Sequence, residues 1–233
     1  MRVIIIGPAW PYRGGIASFS ERLAREFLRE QCEVELVTFT LQYPSLLFPG
    51  TTQYTSDPAP ADLTIRRMIS SVNPLSWIRA GRYIRRQAPD IVVCAYWMSF
   101  MAPCLGTVMR IARRGHTRRI GILHNLVPHE RHPGDNMLAR YFVRSCDGFV
   151  TLSRSVLDEL DHFDAQHQRQ RIFSPHPLYD NYGERETRSA AAAALGLDED
   201  MRYLLFFGLI RDYKGLDLLM QAYADSRIDK SRV

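Results

Sequence analysis

Short apolar runs rich in β-branched residues alternate with amphipathic stretches along the whole chain. The runs predict strands at 3–6, 34–39, 91–95, 119–123, 148–152, 171–174 and 203–207. The stretches between them predict helices at 16–30, 75–88, 102–113, 136–146, 154–162, 188–195 and 215–225. In the first of these helices Ile16, Phe19, Leu23 and Phe27 recur at helical spacing, with Glu21, Arg22, Arg25 and Glu26 off the stripe. In the last, Leu216, Leu219, Met220 and Tyr223 form the expected core stripe. Strands and helices in alternation predict an α/β fold: a Rossmann-like parallel sheet with helices on both faces.

Two regions break the alternation. Residues 40–62, "TLQYPSLLFPGTTQYTSDPAPAD", carry several turn signals around an apolar centre, Leu46, Leu47 and Phe48. A long loop at the carboxyl end of a strand often helps form a binding site; equally, those apolar residues pack down on a sheet. Residues 174–189, "SPHPLYDNYGERETRS", are polar and punctuated by Pro175, Pro177 and Gly183. They predict a linker, with one domain over 1–183 and the start of a second over 184–233. The second echoes the first, because a strand, a glycine turn and a helix occur at 3–30 and again at 203–224.

Composition is that of an ordinary globular protein, 46% hydrophobic and 24% charged, which argues against disorder. Residues 91–109 are uncharged and barely long enough to cross a bilayer. Their β-branched start, with Ser99, Pro103 and Gly106 inside, predicts instead a buried strand, a loop and a helix. Cys32, Cys94, Cys104 and Cys146 lack metal or disulfide spacing and predict buried thiols in a reducing compartment. With an N-terminal apolar run too short for a signal peptide, a cytoplasmic location is expected, with the inner membrane face as an option. Charge is uneven: from Arg66 to Arg119 eleven arginines face one acid, Asp90, although the whole chain carries only +5. Such a segment favours anionic partners, including a membrane surface; it is read equally well as the solvated faces of two helices.

The candidate chemistry sits in two glycine turns. In "IIIGPAWPYRGGIASFSERLAREF" a strand runs into a loop, then Gly14 and Gly15, then the first helix. Paired glycines let backbone approach a ligand closely, and a helix N-terminus attracts phosphate. The segment has neither the Gly-Lys-Ser/Thr ending of a P-loop nor GxGxxG. In "YLLFFGLIRDYKGLDLLMQAY" Gly208 follows a strand, and Arg211 and Lys214 stand just before a helix. Lys214 is one of only two lysines, which suggests a position suited to a compact ammonium. The alternative for this motif is a charged loop capping a helix.

Together "PYRGGIASFSERLAREF", "TFTLQYPSLLFPG", "YWMSFMAP", "ILHNLVPHE", "GFVTLSRSVLDEL" and "FFGLIRDYKGLDLLMQA" resemble the retaining nucleotide-sugar glycosyltransferases of family 4. That resemblance implies the GT-B fold, two Rossmann-like domains facing one another across a cleft. It implies transfer of a sugar from a nucleotide-sugar donor to a hydroxyl of a glycan or lipid-linked acceptor, in surface polysaccharide or glycoconjugate synthesis. Gly14 and Gly15 then approach the donor diphosphate from the acceptor-side domain, and Arg211 and Lys214 neutralise it from the donor domain. Fixed cations there stabilise the charge that develops on the leaving group. His124, at the end of its strand in "ILHNLVPHE", is implied to contact the transferred sugar or the acceptor. His129 and Glu130 follow as candidates to orient or deprotonate the acceptor hydroxyl, and Trp97 is a further acceptor-side candidate. The plain alternatives are a structural hydrogen bond for His124 and a loop salt bridge for Glu130.

No metal or other cofactor is expected. His124, His129 and His132 are conceivable ligands, but Pro128 and Pro133 break any helix, and "HERH" is not HExxH. No DxD-type pair stands out. No nucleic-acid partner is expected, since the arginine-rich segment has no aromatic-interleaved motif or recognition helix. The resemblance also implies two glutamates separated by seven residues after Lys214, and no glutamate follows it here. The chain is therefore expected to hold an acceptor-side domain and a truncated donor domain, with a non-catalytic binding module as the alternative function.

Overall fold

The computed structural model describes residues 1–44, 52–128, 132–179, 183–208 and 210–225. These divide into two compact units, Met1–His176 and Pro177–Val233.

The first unit is a parallel sheet of seven strands: β1 (Arg2–Ile6), β2 (Glu33–Leu41), β3 (Ile65–Ser70), β4 (Ile91–Tyr96), β5 (Arg118–Leu123), β6 (Gly148–Thr151) and β7 (Gln170–Phe173). Their order is β3-β2-β1-β4-β5-β6-β7. The innermost strands are covered on both faces, which is why β1 and β4 read as unbroken apolar runs rather than alternating ones. Crossovers are made by α1 (Gly15–Arg29), α2 (Pro74–Gln87), α3 (Ala102–Ala112), α4 (Asp135–Val143) and α5 (Arg154–Asp161).

The helices fall on two faces. Phe19 and Ala24 of α1 pack with Val3, Ile5, Leu36, Val93 and Ile122, and Leu23 and Phe27 complete that contact. Helices α2 to α5 cover the other face in one larger core through residues such as Ile84, Leu105, Met109, Phe142 and Leu160. All four cysteines are buried, free thiols, as expected. Residues 91–112 form β4, a short 3-10 turn and α3; among the described residues no helix is long and apolar enough to cross a membrane.

One strand escapes the sequence pattern. Edge strand β3, "IRRMIS", pairs only with β2, and only Ile69 among its side chains is fully buried. Its arginines are satisfied at the edge, Arg66 on the Glu35 carboxylate at 2.7 Å and Arg67 on the Phe39 carbonyl at 3.2 Å.

The second unit holds α6 (Arg188–Leu195), a 3-10 turn at Asp212–Lys214 and α7 (Leu216–Asp225). The strand expected at 203–207 is not formed. A parallel strand needs a neighbour for its ladder, and no other described residue of this unit is in a strand. For the same reason the stripe expected on α7 is not buried: Met220 is 61% exposed.

Candidate functional site

Strand β1 lies between β2 and β4, where the order of the sheet reverses. In open α/β sheets a crevice forms there, beyond the carboxyl ends of the strands. The loop that leaves β1 is anchored over this crevice. The Ala9 N–H donates to Thr38 Oγ1 at 3.1 Å, the Trp10 N–H to Glu21 Oε1 at 2.8 Å, and the Arg13 N–H to the Gln53 carbonyl at 3.0 Å. Burial raises the Glu21 pKa, while the bond from Trp10 works against that rise. The loop ends at Gly14 with φ 116° and ψ 170°, a region essentially reserved for glycine, and α1 begins there without a side-chain cap.

This glycine turn opens on a cavity of ≈310 Å³ whose wall includes Tyr12, Gly14, Gly15, Tyr43, Gln53 and Trp97. Trp97 follows β4 directly, so the glycines and the tryptophan singled out in the sequence meet in one place. Tyr43, Gln53 and Tyr12 were missed as wall residues. The signal for two of them was the long loop after β2, suspected as a site without any residue being chosen. The Trp97 indole N–H donates to the Tyr43 hydroxyl at 2.6 Å. Gln53 grips the Tyr43 backbone from both sides: its Nε2 donates to the carbonyl at 2.8 Å, and its Oε1 accepts from the N–H at 3.1 Å. Burial raises the Tyr43 pKa, and burial with nearby Tyr54 pushes Tyr12 up to about 12. Both hydroxyls are protonated at neutral pH.

His124 stands one residue past β5, its N–H on the Tyr96 carbonyl at 2.9 Å. Its ring packs edge-on against Phe19 of α1, with centroids 5.1 Å apart, and lies 6.5 Å from His176. Nε2 is buried without a hydrogen-bond partner among the described residues. Burial, helped by His176, lowers the pKa to about 4. The ring is therefore neutral at pH 7, with a polar atom unsatisfied.

His129 and Glu130 lie outside the described residues. In the second unit Arg211 precedes the 3-10 turn and Lys214 ends it, before Gly215 in the left-handed conformation. Both side chains are exposed, and neither makes an ion pair among the described residues. Among the described residues, no three His, Cys, Asp or Glu side chains are grouped to hold a metal ion.

The arginine-rich segment divides in two. Arg66, Arg110 and Arg119 are tied internally: to Glu35, over the Tyr141 ring at 3.7 Å, and to the Asp147 carboxylate. Arg79, Arg82, Arg85, Arg86, Arg113, Arg114 and Arg118 are exposed and make no ion pair among the described residues. Most of these lie where α2 and α3 end and β4 and β5 begin, the sheet edge opposite the cavity. An Arg114 Nη1 bond to the Arg85 carbonyl at 3.4 Å links the two helix ends.

The sequence model of Glycosyltransferase Family 4 matches residues 13–175, beginning at the glycine turn and ending with the sheet. The chain belongs to glycosyltransferase family 4. Its fold is similar to that of an alpha-glucosyltransferase solved with UDP and DNA, at 13% identity and a TM-score of 0.50 over 76% of this chain and 43% of that one. It is also similar to the catalytic domain of starch synthase IV from Arabidopsis thaliana bound to ADP and acarbose. There the identity is 14% and the TM-score 0.51, over 96% of this chain and 65% of that one. The family 4 chain thus spans less than two thirds of either solved relative. A search of curated protein sequences gave no match.

Proposed function

We propose that this family 4 protein carries the acceptor side of a retaining transferase. The sugar comes from a nucleotide-sugar donor and goes to a hydroxyl of a glycan or lipid-linked acceptor, in surface polysaccharide or glycoconjugate synthesis. The carrying observation is the cavity at the reversal of the sheet, where the start of α1, the Gly14-Gly15 turn and Trp97 share one wall. Backbone donors at such a turn suit a diphosphate, and the absent Cβ atoms let it approach. The solved relatives hold UDP and ADP.

In the proposed reaction the anomeric carbon to phosphate oxygen bond breaks, and a bond to the acceptor oxygen forms on the same face. The nucleoside diphosphate leaves with the electron pair. Arg211 and Lys214, exposed and without an ion pair among the described residues, supply countercharge to that leaving group, so no divalent ion is needed for this task. Neutral His124 offers Nε2 to a sugar hydroxyl; its lowered pKa suits hydrogen bonding better than proton donation at pH 7. Glu130 and His129 orient the acceptor hydroxyl or take its proton. The exposed arginines at and after the ends of α2 and α3, without ion pairs among the described residues, form a contact surface for an anionic membrane.

Incubation with UDP-, ADP- and GDP-sugars tests the reading. Release of nucleoside diphosphate that depends on an added glycan or lipid-linked acceptor, with a product of the donor's anomeric configuration by NMR, supports it. An inverted product would sink it.

A further inference from the structure

A second cavity, ≈600 Å³, opens between α4 and α5 beyond the carboxyl ends of β5 and β6. This is within the range of about 300–1,000 Å³ typical of small-ligand sites. Asn125 contributes from the β5 loop, Asn136 and Arg140 from α4, and Asp158, Glu159 and Phe163 from α5 and its end. Glu159 Oε2 accepts the Val127 N–H at 3.3 Å and so ties the β5 loop to α5.

The wall is polar, and only part of it is spent on itself: the Ser153 and Ser155 hydroxyls share a hydrogen bond at 3.0 Å, and Glu159 is engaged. Among the described residues the side chains of Asn125, Asn136, Arg140 and Asp158 make no hydrogen bond or ion pair. Among the described residues the wall carries one guanidinium, Arg140, and two carboxylates, Asp158 and Glu159, and so no surplus positive charge to hold a phosphate or an acidic sugar. The amides of Asn125 and Asn136, the Arg140 guanidinium and the Asp158 carboxylate offer both donors and acceptors. That mixture matches hydroxyl groups, each of which both donates and accepts. Phe163 adds an apolar surface for the C–H face of a ring.

We infer that this cavity is a neutral-carbohydrate subsite that holds a sugar unit of the acceptor glycan. Its assignment to an acceptor rests on the transferase reading; the binding of a neutral sugar does not. A glycan several units long would be held here as well as at the reacting end, which selects polymeric over monomeric acceptors.

Amide NMR of the 233-residue chain tests this, with methyl α-glucoside, methyl α-galactoside and methyl α-mannoside each raised to about 100 mM to populate a site of millimolar Kd. The expected result is saturable shifts at Asn125, Asn136, Arg140 and Asp158 with at least one sugar. Sodium phosphate at the same concentration should leave them in place. R140A and D158A, both at exposed helix positions, should keep the spectrum of the fold and weaken sugar binding at least fivefold. No saturable shift with any of the three sugars, or shifts with phosphate alone, overturns the inference. Loss of nucleotide shifts at Gly14 and Gly15 with the sugar shifts intact would instead count against the transferase reading.

Discussion

The indole N–H of Trp97 reaches the hydroxyl of Tyr43 at 2.6 Å, joining the end of β4 to the loop after β2. Neither residue belongs to the glycine turn, yet together they form the wall facing it. Tyr43→Phe removes the acceptor and leaves the indole N–H of buried Trp97 unpaired. We expect a loss of about 1–3 kcal/mol in denaturant unfolding. Nucleotide binding should weaken as well, since Gln53 and the β1 loop are held through the same segment.

At Gly14 a Cβ would meet nothing within 4 Å, so space is not the obstacle; the backbone, at φ +116°, is. Gly14→Ala should cost about 1–3 kcal/mol of stability by urea titration. Gly81 presents the opposite case. Its Cβ would stand 2.6 Å from Ile111 Cβ, where α2 and α3 pack. Gly81→Ala should cost about 1–3 kcal/mol through overpacking. It should leave nucleotide contacts at the first glycine turn intact, a difference that separates a folding defect from a site defect.

His124 predicts a pH signature. Its folded pKa of about 4 lies below the ordinary histidine value of 6.5. Between these values the unfolded chain binds the extra proton, so stability should fall as pH drops from 6.5 towards 4 and be unaffected above 6.5. The full effect is on the order of 3 kcal/mol. His124→Gln should flatten that part of the stability profile, measured by thermal unfolding across the pH range. In transfer assays the wild-type rate should show no limb near pH 6.5 due to this residue.

The unpaired arginines predict salt-sensitive binding to anionic vesicles. Near an acidic surface each contributes about 1 kcal/mol. R82E, R85E and R86E combined should abolish co-sedimentation with phosphatidylserine vesicles at low salt, and unchanged binding would reject a membrane role for this edge.

The five helices and six of the seven strands of the first unit were legible because their apolar residues follow the two backbone periods. Edge strand β3 was not, since only one of its six side chains is fully buried and two are arginines. Residues 203–207 failed in the other direction: an apolar run specifies a strand only where a ladder partner exists. At the candidate site, Gly14 and Gly15 were readable from a local turn, whereas Trp97 was a candidate only beside the family resemblance. Tyr43 and Gln53 were hidden because their roles depend on pairings across 54 and 10 residues. The charge run was visible, but its division into internal ties and an exposed edge depended on partners such as Glu35 and Asp147.

In the proposed reaction the Gly14-Gly15 turn receives the donor diphosphate. Amide NMR of the chain titrated to millimolar UDP, ADP and GDP tests it most directly. At least one nucleotide should give its largest first-unit shifts at Gly14, Gly15 and Ile16. Those shifts should be absent when the corresponding nucleoside replaces the nucleotide. Equal shifts with the nucleoside, or unmoved amides at these three residues with every nucleotide, would contradict it.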